Sequence, residues 1–102
     1  MEDIVRDANS RDLVVGVLGC GEFARWLFED TVLGTAQRLR LFDSDPSRLG
    51  STLCGRVVSH SSELATAGLE VIVVASLAFQ DEMQSFLKSL PLGEARIVTC
   101  YP

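Results

Sequence analysis

The stretch Leu13-Val14-Val15-Gly16-Val17-Leu18-Gly19-Cys20-Gly21-Glu22-Phe23-Ala24 decides the fold. Its first six residues run apolar and largely β-branched with no polar alternation, the pattern of a strand covered on both faces. Glycines on either side of Cys20 break the run, and a helix-period segment begins near Glu22. Along that helix Phe23, Ala24, Leu27, Phe28 and Thr31 share one face, and Gly34 suits the position just past its end. Strand, glycine turn and helix in immediate succession form the opening of a β/α unit.

The same alternation recurs downstream. Leu39-Arg40-Leu41-Phe42-Asp43 reads as a second strand, followed by the turn-rich Ser44-Asp45-Pro46-Ser47. Residues 47–54, with Gly50 and several hydroxyl side chains, read as loop, and Arg56-Val57-Val58 as a short third strand. Ser61-Ser62-Glu63-Leu64-Ala65 opens a brief helix ending at Gly68, with a serine available as its N-cap. Glu70-Val71-Ile72-Val73-Val74-Ala75 gives the strongest strand signal of the chain, and Ser76 or a near neighbour caps the helix after it. On that helix Phe79, Met83, Phe86, Leu87 and Leu90 make a stripe that is predicted to face the core. Pro91 and Gly93 end it, and Ala95 to Cys100 form the fifth strand. Right-handed crossovers turn this order into a single three-layer α/β domain, a five-stranded parallel sheet in the order 3-2-1-4-5.

Residues 1–11 are polar apart from Ile4 and Val5, and read as an N-terminal arm or a frayed helical turn ahead of a domain at 12–102. The pattern is that of a module, of a kind found within longer enzymes.

Composition narrows the function classes. The 102 residues are 47% hydrophobic, enough for one core, and carry a net charge of -5. No basic stripe is available to neutralise a phosphate backbone, so nucleic acid is not an expected partner. The longest apolar runs fall far short of the roughly 20 residues that cross a bilayer. The acidic first residues lack the basic start and apolar centre of a signal peptide. A soluble, cytoplasmic domain is the resulting expectation. Cys20, Cys54 and Cys100 are odd in number and widely spaced, with His60 the single histidine, so neither a disulfide framework nor a metal centre is expected.

Chemistry in an open parallel sheet sits beyond the carboxyl ends of the strands, where the strand order reverses. Here that brings together the segments starting at Gly19, Asp43 and Ala75. Gly19 to Ala24 fits Gly-x-Gly-x-x-Ala: Gly19 for the tight turn, Gly21 for phosphate approach, Ala24 for close helix packing. The free N–H groups at the helix start then face an anion. Asp43 lies 22 residues after Gly21, at a strand end where a carboxylate accepts hydrogen bonds from a ribose diol. Gly19, Cys20, Gly21, Glu22, Phe23, Asp43, Ser44, Ala75 and Ser76 are the expected ligand contacts, against the alternative of a glycine turn that holds nothing. Asp43 disfavours a 2′-phosphate, so NAD(H) is expected over NADP(H) unless Arg48 reaches in to compensate.

The runs Gly19-Cys20-Gly21-Glu22-Phe23-Ala24-Arg25, Phe42-Asp43-Ser44-Asp45-Pro46, Gly50 and Cys54-Gly55-Arg56-Val57-Val58 resemble a recurring Rossmann-like module. It looks like the amino-terminal nucleotide-binding domain of polysaccharide-biosynthesis dehydratases and epimerases. It is also similar to domains of sugar acyltransferases and of sugar C-methyltransferases. The resemblance spans roughly residues 13 to 100 and departs at Cys20 and Ala24, where many relatives carry alanine and glycine. It implies binding of NAD or a nucleotide sugar through Gly19, Gly21 and Asp43.

Catalytic signals are weaker. There is no Tyr-x-x-x-Lys pair: the one tyrosine is Tyr101 and the one lysine Lys88. Ser76 has no histidine in its segment and suits a cap. Cys20 at a helix start is either a reactive thiol or a small packed residue, with Glu22 opposing ionisation. His60 reads as an exposed loop residue, and Asp45-Pro46 as turn chemistry rather than a metal ligand. Trp26 and Leu33 either close the rim of the core or anchor a partner, whether a second copy or a second domain. The expected function is a nucleotide-binding module without turnover of its own, with an interaction domain or an oxidoreductase fragment as alternatives.

Overall fold

The computed structural model describes residues 1–100; Tyr101 lies outside them. The strands are β1 (Val15–Leu18), β2 (Leu39–Asp43), β3 (Thr52–Leu53), β4 (Arg56–His60), β5 (Val71–Val74) and β6 (Arg96–Thr99). The α-helices are α1 (Glu2–Ser10), α2 (Glu22–Asp30) and α3 (Gln80–Lys88), with 3-10 turns at Val32–Thr35, Pro46–Arg48 and Ser61–Thr66.

One sheet holds all these strands in the order β3-β4-β2-β1-β5-β6. β4, β2, β1, β5 and β6 run parallel, which is the expected arrangement of five. The sheet nevertheless has six strands rather than five. β3 adds an antiparallel edge to β4, pairing Thr52 with Val57 and Leu53 with Arg56. The segment expected as loop is therefore half of a hairpin. Its two-residue turn is Cys54-Gly55, at φ 53 and 74, and positive φ at both central residues matches the right-handed twist of the flanking strands.

Alternate residues of the strands feed two cores. Val15, Val17, Leu39, Leu41, Val71 and Val73 point to the face covered by α1 and α2, where Val5, Ala8, Ala24 and Leu27 meet them. Leu18, Phe42, Ile72 and Val74 point to the opposite face, against Leu64 and Leu87. A side-chain period of two over continuously apolar strands thus yields three layers. The segment read as an arm is α1, packed on the first core through Val5 and Ala8. Asn9 anchors it, donating from Nδ2 to Thr35 O and accepting the Gln37 N–H.

Three helical expectations are corrected. α2 stops at Asp30 rather than running to Gly34, because Thr31 turns extended and its hydroxyl accepts the Leu33 N–H, starting a separate 3-10 turn. That turn drops Leu33 fully into the core, so it is neither rim nor partner surface. The helix after β4 is a 3-10 turn capped by His60 rather than by a serine: Nδ1 accepts the Ser62 N–H at 3.0 Å. His60 itself is the last residue of β4, exposed, and not a loop residue. α3 buries Gln80 and Leu87, while Phe79 and Phe86 of the predicted core stripe are exposed, Phe79 by 62%. Phe79, just ahead of the helix, and Phe86 thus stay outside the core that Leu87 joins. No helix among the described residues is long and apolar enough to cross a membrane.

Candidate functional site

A cleft of about 670 Å³ opens at the carboxyl ends of β1, β2 and β5, at the point where the strand order reverses. It is walled by the glycine turn, by Asp43, Asp45 and Arg48, and by Ala75 to Phe79 with Met83.

The two glycines of the turn act differently. Gly19 sits at φ 98, and a Cβ there would stand 2.8 Å from the Ala75 carbonyl oxygen. It is needed for the backbone path and for the close approach of the β1 and β5 ends. Gly21 has φ -90, which any residue adopts, and it precedes α2 without a side chain to cap it. What glycine supplies at 21 is room: a Cβ would meet the Arg48 guanidinium at 3.1 Å. Arg48 therefore lies directly on the turn that opens α2.

Asp43 is the hub of the site. It is 6% exposed, at the end of β2. Its Oδ2 accepts the Cys20 N–H at 2.8 Å and an Arg48 Nη1–H at 3.3 Å, and its Oδ1 accepts the Asp45 N–H at 2.8 Å. A carboxylate offers about four lone-pair sites, so three are filled from within the chain. The expected ribose acceptor thus also clamps the glycine turn to the loop after β2.

That loop is built by its own sequence. Asp45 Oδ1 accepts both the N–H and the hydroxyl of Ser47, which with Pro46 forms the 3-10 turn and carries Arg48 back over the strand ends. The same bonds hold the Asp45 carboxyl below its usual range. Turn chemistry is the observed role of Asp45-Pro46. Ser44 shares a hydrogen bond of 2.6 Å with the buried Ser61, joining this loop to the turn after β4.

The other residues expected at the site take the following positions. Ser76 Oγ accepts the Phe79 N–H at 3.0 Å in the turn ahead of α3, but the helix's N-cap is Phe79 and no side chain caps it, so the expected serine cap is corrected. Asp81 and Glu82 occupy the first turn of α3. Glu22 and Phe23 line the opposite wall. Cys20 is turned inward, its thiol donating to Phe42 O. Burial, then the charge of Asp43, push that thiol up to about 12, which opposes the reactive-thiolate alternative. The structure thus brings Gly19, Gly21, Glu22, Phe23, Asp43, Ala75 and Ser76 to one cleft, whereas Cys20 and Ser44 are engaged behind it.

Arg48, anticipated only as a compensating charge, is the one cation among the described residues lining the cleft. Three carboxylates, Glu22, Asp43 and Asp45, line it too. Leu77 and Phe79 give it an apolar lip, being 52% and 62% exposed. Trp26, half exposed, stacks on Phe23 with ring centroids 5.6 Å apart. No group of described residues is arranged to hold a metal ion.

No family model matches the chain, and no curated protein matches it in sequence. Among solved structures it is similar to RSP, a Rex-family repressor, with 12% identity and a TM-score of 0.60 over 98% of this chain and 60% of that one. It is also similar to RSP in complex with beta-NADH, with 11% identity and a TM-score of 0.55 over 98% of this chain and 61% of that one. The chain spans about three-fifths of the length of these proteins. Both are repressor structures, and the resemblance to polysaccharide-biosynthesis enzymes gains no support from them. At such identity the likeness shows the fold, and the fold is Rossmann-like α/β.

Proposed function

We propose that the chain is a nucleotide-binding module whose cleft takes a dinucleotide of the NAD(H) type, with the pyrophosphate at the start of α2 and the adenosine ribose toward Asp43. The observation that carries this reading is the uncapped helix start at Gly21. A strand-flanked turn leaves a helix start without a side-chain cap, within a cleft of nucleotide size, under a guanidinium. The solved complex of a similarly folded repressor with beta-NADH supports the choice of dinucleotide. Arg48 does reach in to Asp43, but it is one cation against the three carboxylates Glu22, Asp43 and Asp45, whose charge opposes a 2′-phosphate and favours NAD(H) over NADP(H). The module binds without turning over, its partner being the small molecule and whatever reads its binding.

Native mass spectrometry of the full chain against NAD(H), NADP(H), UDP-sugars and coenzyme A tests this. The expected result is a one-to-one complex with NAD(H), stronger than with NADP(H). Capture of a UDP-sugar alone would return the module to sugar-nucleotide metabolism, and capture of nothing would overturn the reading. The exposed Leu77 and Phe79 on the cleft's lip, with Trp26 stacked on Phe23, favour, as the second reading, an interaction domain whose glycine turn stays empty.

A further inference from the structure

Arg48 makes two contacts of opposite meaning. Its guanidinium donates to Asp43 Oδ2, the oxygen that also accepts the Cys20 N–H. The same guanidinium covers Gly21, so it stands where a phosphate must approach the turn. Its side chain is 44% exposed, and its second carboxylate, Asp45, is 4.0 Å away and equally exposed. The Asp45 pair, exposed at both ends, holds the side chain weakly, and the contact with the nearly buried Asp43 is, at 3.3 Å, long for a charge-assisted bond. A guanidinium bound to phosphate gains charge-assisted, frequently bidentate hydrogen bonds. Its departure from Asp43 frees a lone pair on Oδ2, while the Cys20 and Asp45 N–H groups keep the carboxylate in place.

We infer that Arg48 is an exchangeable stand-in for the ligand. Without ligand it fills the second acceptor site of Asp43 Oδ2, beside the Cys20 N–H, and covers the phosphate seat. With ligand its guanidinium passes to the pyrophosphate, and the ribose hydroxyl takes the vacated lone pair on Asp43. This rests on the proposed dinucleotide site and adds a coupling to it. Phosphate and hydroxyl recognition are linked through one side chain, so the site answers to a molecule carrying both. A nucleoside without phosphate competes against Arg48 for Asp43, and a bare phosphate draws Arg48 away with nothing to replace it.

The coupling has a signature that simple contact lacks. Arg48→Met keeps the length and apolar stem of the side chain but removes the fork. The backbone bonds of residue 48 to Asp45 and Ser51 remain available. Titrations of wild type, Arg48→Met and Arg48→Lys with ADP-ribose and with adenosine, followed by NMR, provide the test. ADP-ribose is expected to bind Arg48→Met about tenfold or more weakly than wild type. Adenosine is expected to bind Arg48→Met as well as wild type or better, because Asp43 has lost its internal partner. Arg48→Lys, which keeps the charge without the fork, is expected to fall between for ADP-ribose.

Parallel weakening of both ligands would make Arg48 merely structural and overturn the exchange. Unchanged or tighter ADP-ribose binding by Arg48→Met would make it a plug and overturn it equally. Arg48→Lys no better than Arg48→Met would remove the charge from the account. Failure of wild type to bind either ligand would overturn the nucleotide site itself, and the exchange with it.

Discussion

The Asp43 carboxylate accepts the backbone N–H of Cys20 at 2.8 Å across a sequence separation of 23 residues. This one bond ties the end of β2 to the glycine turn after β1 and fixes the floor of the cleft. Because the donor is backbone, no substitution at Cys20 other than proline removes it, whereas a change at Asp43 that takes away its side-chain oxygens does. The carboxylate also serves the Asp45 N–H, so its loss leaves two backbone donors at a nearly buried position without their acceptor.

Asp43→Ala is accordingly expected to destabilise the fold by about 2–4 kcal/mol, since each stranded donor costs about 1–3 kcal/mol. Asp43→Asn, which keeps one carbonyl acceptor, loses less. Urea denaturation of the three proteins checks the order, and an alanine variant as stable as wild type would contradict it.

The two glycines of the turn separate folding from binding. Gly19→Ala forces a Cβ onto a positive φ and against the Ala75 carbonyl, and is expected to cost about 2 kcal/mol or more. Gly21→Val meets only the flexible end of Arg48, so its circular dichroism spectrum stays that of a folded α/β protein. Its nucleotide binding is expected to disappear, because the side chain fills the phosphate seat. Equal nucleotide affinity in Gly21→Val and wild type would show that the ligand does not approach there.

Protonation of Cys20 gives a pH dependence of known sign. The folded state raises the thiol from 9.0 to about 12, through burial and then the charge of Asp43. A group whose folded pKa lies above its unfolded value contributes stability that is fully present below the unfolded value and lost as pH rises through the folded one. Wild type is therefore expected to lose thermal stability between pH 9 and 11 more steeply than Cys20→Ala. Parallel Tm curves for the two proteins over that range would count against the buried thiol.

Leu33 and Trp26 answer to different environments despite their shared place in the sequence pattern. Leu33→Ala empties a fully buried site and is expected to cost about 2–5 kcal/mol. Trp26→Ala, at a half-exposed position, loses a stacking contact with Phe23 and is expected to cost less than about 1.5 kcal/mol. Thermal denaturation distinguishes the two, and comparable losses would place Trp26 in the core as well.

Much of this architecture is legible before folding because burial on both sides of a sheet leaves its mark. β1 and β5 are buried at every position, and their sequences carry nothing polar. The turn at Gly19 is equally legible, since few residues other than glycine sit at φ 98 against a carbonyl. β3 was not, for a strand of two residues has no period, and Cys54 at φ 53 lacks the usual asparagine-glycine signal of a hairpin. The orientation of α3 was hidden too, because an apolar side chain over a cleft reads the same as one in a core. Phe79 shows this, and Gln80 shows the converse. In the site, local spacing revealed Gly21 and Asp43, but the path of Arg48 back across the strand ends depends on the turn at Asp45-Pro46. Proximity made by a turn in three dimensions leaves no periodic trace.

The β3–β4 hairpin bears on how the protein behaves in company. A sheet margin with unpaired N–H and C=O groups is a template on which another chain can polymerise. At one margin the template is reduced to the two residues of β3, with the left-handed pair Cys54-Gly55 twisting them away. At the other, β6 has no neighbour on its outer side among the described residues. Among the described residues the sheet is thus asymmetric: β6 leaves the four residues Arg96 to Thr99 without an outer partner, and the opposite margin is only the two residues of β3.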